Sequence, residues 1–310
     1  MLQSVVTMLY IEGSFYSTLA KRQCRPANGF TLVEISIVLV IIGLIIGGIL
    51  VGKDLINEAN LRATISQIEK YNTAVYTFRL KFGYLPGDIP AAQVTELGFT
   101  AAPTRGGQLG NGDGNGILQG LYSGDGISYG WGMYRENLYF WEDLSTNSGL
   151  IDGSFNTAID ENTAITTGTA NRYFPQAKLG RGNYIGVYSC FRNMANYYPA
   201  ICAAKNYFFI MGYSSSTSNG YPLNVSRYLT ALEAYNIDTK TDDGLPRKGK
   251  TRAFSTNATG ANSTAGAEWA PNAATSDPTT CFETSTTDGI YSTAVNGGLG
   301  LNCVLSIEIR

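Results

Sequence analysis

The chain has 310 residues, 44% of them hydrophobic, enough for a core and for one or two domains. Basic and acidic residues number 22 and 24, a net charge of −2, and this balance offers no basic patch of the kind a nucleic-acid partner needs. Histidine is absent altogether, which removes Ser-His-Asp, Cys-His and His-zinc chemistry and argues against an enzyme. Charged residues are sparse at 15%, while Gly (36) and Tyr (20) abound, a profile that suits an extracellular, loop-rich β surface.

In chain order, residues 1–29 read as a leader carrying Lys21, Arg22 and Arg25, with Met8 as a second possible start. From Phe30 to Val51 the only ionisable residue is Glu34. An apolar run of this length spans a bilayer as a helix, for which about 20 residues at ~1.5 Å each suffice. A carboxylate at the edge of such a run is costly unless it finds a partner, so Glu34 reads as functional. Gly43, Gly47 and Gly48 allow neighbouring helices to approach closely.

Gly29-Phe30-Thr31-Leu32-Val33-Glu34 resembles the processing site of type IV prepilins and of type II secretion pseudopilins. The resemblance joins a basic flank, a Gly-Phe junction, Glu as fifth residue after it, and an unbroken apolar helix. An ordinary signal anchor has no need of that order. A cleaved secretory signal places its small-residue site after a shorter apolar run. The resemblance implies that a prepilin peptidase cuts after Gly29 and methylates the new amine of Phe30. It also implies that Glu34 supplies that amine with a countercharge, within one helix or between subunits, fixing axial register during assembly.

The helix is expected to run from Phe30 to about Phe82, a rod of about 80 Å. Its second half turns amphipathic, with Ile65, Ile68, Asn72, Val75 and Phe82 on one face. Gly83-Tyr84-Leu85-Pro86-Gly87-Asp88 is a strong stop signal, and Ala91 to Phe99 adds a short helix or turn. Residues 105–130 are glycine-rich but lack the Gly-Lys-Ser/Thr of a P-loop. Within them, Asn111, Asp113 and Asn115 alternate with glycine like the first half of a calcium loop, and Asp125 could add a ligand. The twelfth position is Tyr122, so this is no EF-hand, and Asn/Asp/Gly turns also form without a metal. Calcium and a bare turn both stay open, and no other cofactor is implied.

Residues 136–153 predict one helix followed by a turn, docking through Leu138, Phe140, Trp141 and Leu144 on the long helix. The adjacent Glu142 and Asp143 read as a solvated face rather than a catalytic pair. Asn183–Phe191 and Asn206–Tyr213 are aromatic and β-branched, hence strands. Val225–Ile237 reads as a helix capped by Asn224 or Ser226, Asp238–Gly249 as a polar turn, and residues 254–280 as an exposed loop. Val304–Ile309 is the expected last strand. Cys24 lies in the leader, which leaves an even set of cysteines for an oxidising compartment. Of the possible pairings, Cys190–Cys202 and Cys281–Cys303 are favoured because each closes a local loop.

The expected fold is therefore α+β and type IV pilin-like: a long N-terminal helix, transmembrane in its first half, packed on a β-rich globular head. Residues 1–29 form the leader, 30–52 the transmembrane and assembly helix, and 53–310 a periplasmic or extracellular head. The implied function is a structural subunit of a type IV pilus or type II secretion pseudopilus. A tip or minor pilin that acts as an adhesin is the alternative. The implied partners are prepilin peptidase, other pilin or pseudopilin subunits and an inner-membrane assembly platform. The implied location is the bacterial inner membrane before assembly, then a periplasmic pseudopilus or an extracellular pilus.

Overall fold

A computed structural model describes residues 29–99, 112–123, 127–129, 135–155, 168–189, 205–215, 224–226, 229–254, 272–273, 278–283 and 285–310. The chain divides into two units, one up to Gly52 and one from Lys53 to Arg310. Helix α1 (Leu32–Phe82) begins in the first and ends in the second. In the first unit every side chain from Leu32 to Val51 is exposed, including a continuous array of Leu, Ile and Val.

In the second unit, α1 buries Leu61, Thr64, Ile68, Tyr71, Ala74, Val75 and Phe78. Ile68 and Val75 are the residues shared with the expected face; Ile65 and Phe82 are only partly buried. The buried stripe is centred on Tyr71, because the aromatic rings bring the largest apolar area and set which side turns inward. Helix α1 ends as expected, with the Gly83 N–H bonded to the Arg79 carbonyl at 2.9 Å. The chain then turns through Leu-Pro-Gly-Asp into α2 (Ala91–Glu96). Gly87 holds a positive φ of 85°, and a Cβ there would lie 2.2 Å from the Glu136 carbonyl oxygen. Only glycine lets the turn approach the start of α3 (Glu136–Glu142) this closely.

Every residue of α3 is buried, and a π-helical turn, Asp143–Asn147, continues it. Trp141 meets Tyr71 of α1 with ring centroids 5.0 Å apart, so the expected docking is present. Glu142 and Asp143, however, are buried rather than solvated. Asp143 accepts the Gly87 N–H at 2.8 Å and the Asn147 amide at 2.9 Å. A carboxylate that binds a tight turn has a reason to be inside, which adjacency along a helix does not reveal.

The glycine-rich stretch carries a small antiparallel hairpin, β1 (Leu121–Ser123) with β2 (Ile127–Tyr129), that sequence patterning did not predict. The main sheet is antiparallel throughout. Strand β3 (Asn183–Ser189) pairs along its whole length with β4 (Asn206–Ser215), and β5 (Asn224–Ser226) extends the far end of β4. Strand β6 (Leu229–Thr230) and β7 (Thr251–Phe254) both pair with β11 (Leu301–Glu308), and β11 also pairs with β4. Alternation places Ile185, Val187, Phe208, Ile210, Leu305 and Ile307 on one side of the pleat. Tyr71, Phe140 and Trp141 all lie against Phe208, with ring centroids 6.0–6.2 Å from it.

Between β6 and β7 lies α4 (Ala231–Thr241). The expected helix over Val225–Ile237 is thus corrected: its first residues are strand, and the cap is Thr230. Thr230 accepts the Glu233 N–H while Glu233 reaches back to the Thr230 N–H, a full capping box. Asp238, expected in a turn, is a buried residue of α4. A small sheet, β8 (Asn272–Ala273), β9 (Phe282–Glu283) and β10 (Ile290–Tyr291), packs beside it. Strand β8 falls within residues 254–280, so that stretch is not wholly loop; most of it lies outside the described residues. Cys281 and Cys303 form the expected disulfide, which ties this small sheet to β11. Cys190 and Cys202 lie outside the described residues.

Candidate functional site

Of the four residues expected to line a calcium loop, Asn111 and Asp125 lie outside the described residues. Asp113 does join a cluster, with Asp88 and Glu136, neither of which the sequence reading singled out. Carboxylate oxygens of the three lie within 4.8 Å of one another. Asn115 closes on its own loop: its N–H and amide donate to Asp113, and its Oδ1 accepts the Ile117 N–H at 2.7 Å.

The two buried carboxylates organise the loop. Asp88 accepts the N–H groups of Gly114 at 2.8 Å and Gly116 at 2.6 Å, and Glu136 those of Gly112 at 2.7 Å and Gln119 at 2.6 Å. The backbone donors are aimed at the acids as in an anion-binding nest. Burial still pushes the Asp88 carboxyl up to about 6, against the opposing pull of those N–H groups, with Asp113 adding to the rise. Burial likewise holds Glu136 well above the ordinary carboxylate range, and the charge of Asp88 reinforces it. An all-oxygen donor set suits a hard cation, and each carboxylate oxygen keeps a second lone pair beside its N–H bond. The donor chemistry therefore fits calcium.

At the other end of the chain, Gly29 and Phe30 precede the helix, and Phe30 is 82% exposed. Thr31 and Glu34 form a second capping box. The Thr31 N–H and hydroxyl each donate to Glu34 Oε2 at 2.8 Å, and the Glu34 N–H donates to Thr31 Oγ1 at 3.2 Å. The Thr-x-x-Glu spacing was legible in the sequence, yet that reading assigned Glu34 only to the amine. A Cβ on Gly29 would meet nothing within 4 Å. Among the described residues, nothing requires glycine there. From Leu32 onward the helix is long and apolar enough to cross a membrane.

Residues 24–50 match the family described as "Prokaryotic N-terminal methylation motif". This chain carries a prepilin-type cleavage and methylation segment. No curated protein and no solved structure matches the chain. The prepilin segment covers Gly29, Phe30 and Glu34 together, and with the apolar helix it fits a precursor anchored in the inner membrane. Gly29 and Phe30, the expected cleavage junction, lie just ahead of the first helical turn. Processing by prepilin peptidase and assembly with other pilin subunits follow from the motif.

Proposed function

We propose that the chain is a structural subunit of a type IV pilus or of a type II secretion pseudopilus. The observation that carries this reading is the prepilin segment continuing into an apolar helix whose side chains are all exposed up to Val51. Such a surface is stable only in lipid or against other helices, and a filament supplies the second after the membrane has supplied the first. The α+β head fits the same role, since it gives each subunit a rigid body outside the bilayer. The test is electron microscopy of cells expressing the chain with and without a functional prepilin peptidase. Filaments containing the chain only when the peptidase works support the reading; a chain that stays dispersed in the membrane after cleavage overturns it.

We also propose that calcium bound by the head sits among Asp88, Asp113 and Glu136, a set that keeps only Asp113 from the sequence expectation. Calcium should raise the melting temperature of the wild-type protein, and more than magnesium does, because the larger ion tolerates irregular oxygen shells. Asp113→Asn should abolish the shift. No shift in the wild-type protein ends the proposal.

A further inference from the structure

Two apolar surfaces of the second unit are exposed, and they lie well apart. The first gathers Leu232 and Tyr235 of α4 with Leu299 and Leu301, all four exposed, Leu299 by 65%. Leu232 and Tyr235 are one turn apart on the outward side of α4, while Ala231, Ala234 and Ile237 face inward. Leu299 follows the short 3₁₀ turn Asn296–Gly298, whose backbone packs on the helix: a Cβ on Gly298 would lie 3.2 Å from the Leu232 Cβ. Leu301 opens β11 opposite Thr230, the cap of the same helix. These side chains leave on the order of 300–400 Å² open, the size of the largest patch on an ordinary monomer.

The second surface is on α1. Tyr76 and Leu80 stand one turn apart on the side turned away from the buried Tyr71, Val75 and Phe78, and Leu80 is 71% exposed. Strand β11 sets the distance between the two surfaces. Arg310, two residues past its end, donates its N–H to Asn72 Oδ1 at 3.0 Å, and Asn72 precedes Tyr76 by one turn. At ~3.3 Å per residue the strand carries the chain about 23 Å from Leu301 to Glu308. The first surface is thus at one end of β11 and the second beside the other. A stable interface takes about 800 Å² from each partner, so either surface supplies an apolar centre that needs a polar rim. Thr73 and Thr77 border the second, and the Arg181–Glu233 pair, at 2.6 Å, borders the first.

We propose that the heads of successive copies dock head to tail, with Leu232, Tyr235, Leu299 and Leu301 of one copy seated on Tyr76 and Leu80 of the next. The inference rests on the structural-subunit reading and deepens it, since it gives the head a contact of its own beside that of the apolar helix. The occupant is a second copy because the two surfaces are unlike and sit at opposite ends of one strand. A copy that uses one of them leaves the other open for a third copy, so the contact propagates instead of stopping at a dimer. Tyr76 suits the centre of such a contact, as a large side chain with little rotamer freedom to lose.

The test is cross-linking of the full chain in cells with a short bis-maleimide, read on denaturing gels against the wild-type background. The double variant Leu80→Cys, Leu299→Cys should give a ladder of dimers, trimers and higher species, and each single variant should give none. Dimers from Leu299→Cys alone would mean that like surfaces meet, and the head-to-tail contact is then wrong. A missing ladder, or a link to a different protein, overturns the proposal as well. In parallel, Leu232→Glu with Leu299→Glu should cut the number of filaments in electron micrographs several-fold while the head keeps its wild-type melting temperature; unchanged filament numbers overturn the proposal. Wild-type filaments without a ladder in the double variant leave the subunit reading standing and remove this contact. Absence of wild-type filaments removes both.

Discussion

The carboxylate of Glu34 is held by Thr31. On the proposed reading, cleavage after Gly29 would give it a competing cation at Phe30. Glutamine at this position keeps the length and can still accept the Thr31 N–H, so the helix start survives, while the countercharge is lost. Glu34→Gln is therefore expected to insert, be cut and fold its head, yet form few or no filaments by electron microscopy. Abundant filaments of the pure variant would show that the charge is dispensable for assembly. A second residue acts in the head. Asp238 accepts the Tyr291 hydroxyl at 2.7 Å and the Gly244 N–H at 3.3 Å, and burial raises its carboxyl to about 7. Because the folded value lies above the unfolded one, the folded state holds its proton more tightly. Stability from this site is full below about pH 4 and is lost as pH rises through about 7. The melting temperature of the wild type should consequently fall between pH 5 and pH 8 by more than that of Asp238→Asn; identical pH profiles would remove Asp238 from the account.

At the level of elements, the capping box of α4 and the aromatic contact of α3 are the separable contributions. Thr230→Ala removes a side-chain acceptor from the first turn and should cost about 1 kcal/mol in chemical denaturation. Trp141→Ala opens a cavity among Tyr71, Phe140, Phe155 and Phe208 and should cost about 3–5 kcal/mol, if the head still folds. These two elements also show what the sequence could and could not convey. Trp141 announced its burial by size, and the stop at Gly83 by chemistry that acts within a few residues. The start of α4 was also local, written as Thr230-x-x-Glu233, but the apolar residues upstream drew the boundary toward Asn224. Asp143, Glu136 and Asp88 are different. Their burial goes with backbone N–H groups delivered by distant turns, and nothing in the spacing of acids along the chain records that.

For the molecule as a whole, processing and cross-linking give direct checks. Mass spectrometry of assembled material should find Phe30, methylated, at the N-terminus; an intact leader there would contradict the prepilin reading. Replacing both Cys281 and Cys303 by alanine should lower stability by about 2–4 kcal/mol, since the bond closes a loop spanning a sequence separation of 22. The first unit was the more legible one because lipid and peptidase impose rules that act on contiguous residues. The head was legible as aromatic strands and a terminal strand. Its pairing order was not, because β11 chooses β4 and β7 from across the chain.

That pairing order also sets a clock. The strand that β4, β6 and β7 share is the last one in sequence, so the sheet cannot close until residues 301–308 have left the ribosome. The apolar segment emerges first, and at about 5–20 residues per second the remainder takes on the order of tens of seconds to follow. Insertion of the apolar segment can therefore begin before the head is complete, with Gly29 already outside the ribosome while the head is still unstructured. A chain arrested before Leu301 should be inserted and cut like the whole one, but it would carry a head with its central strand missing.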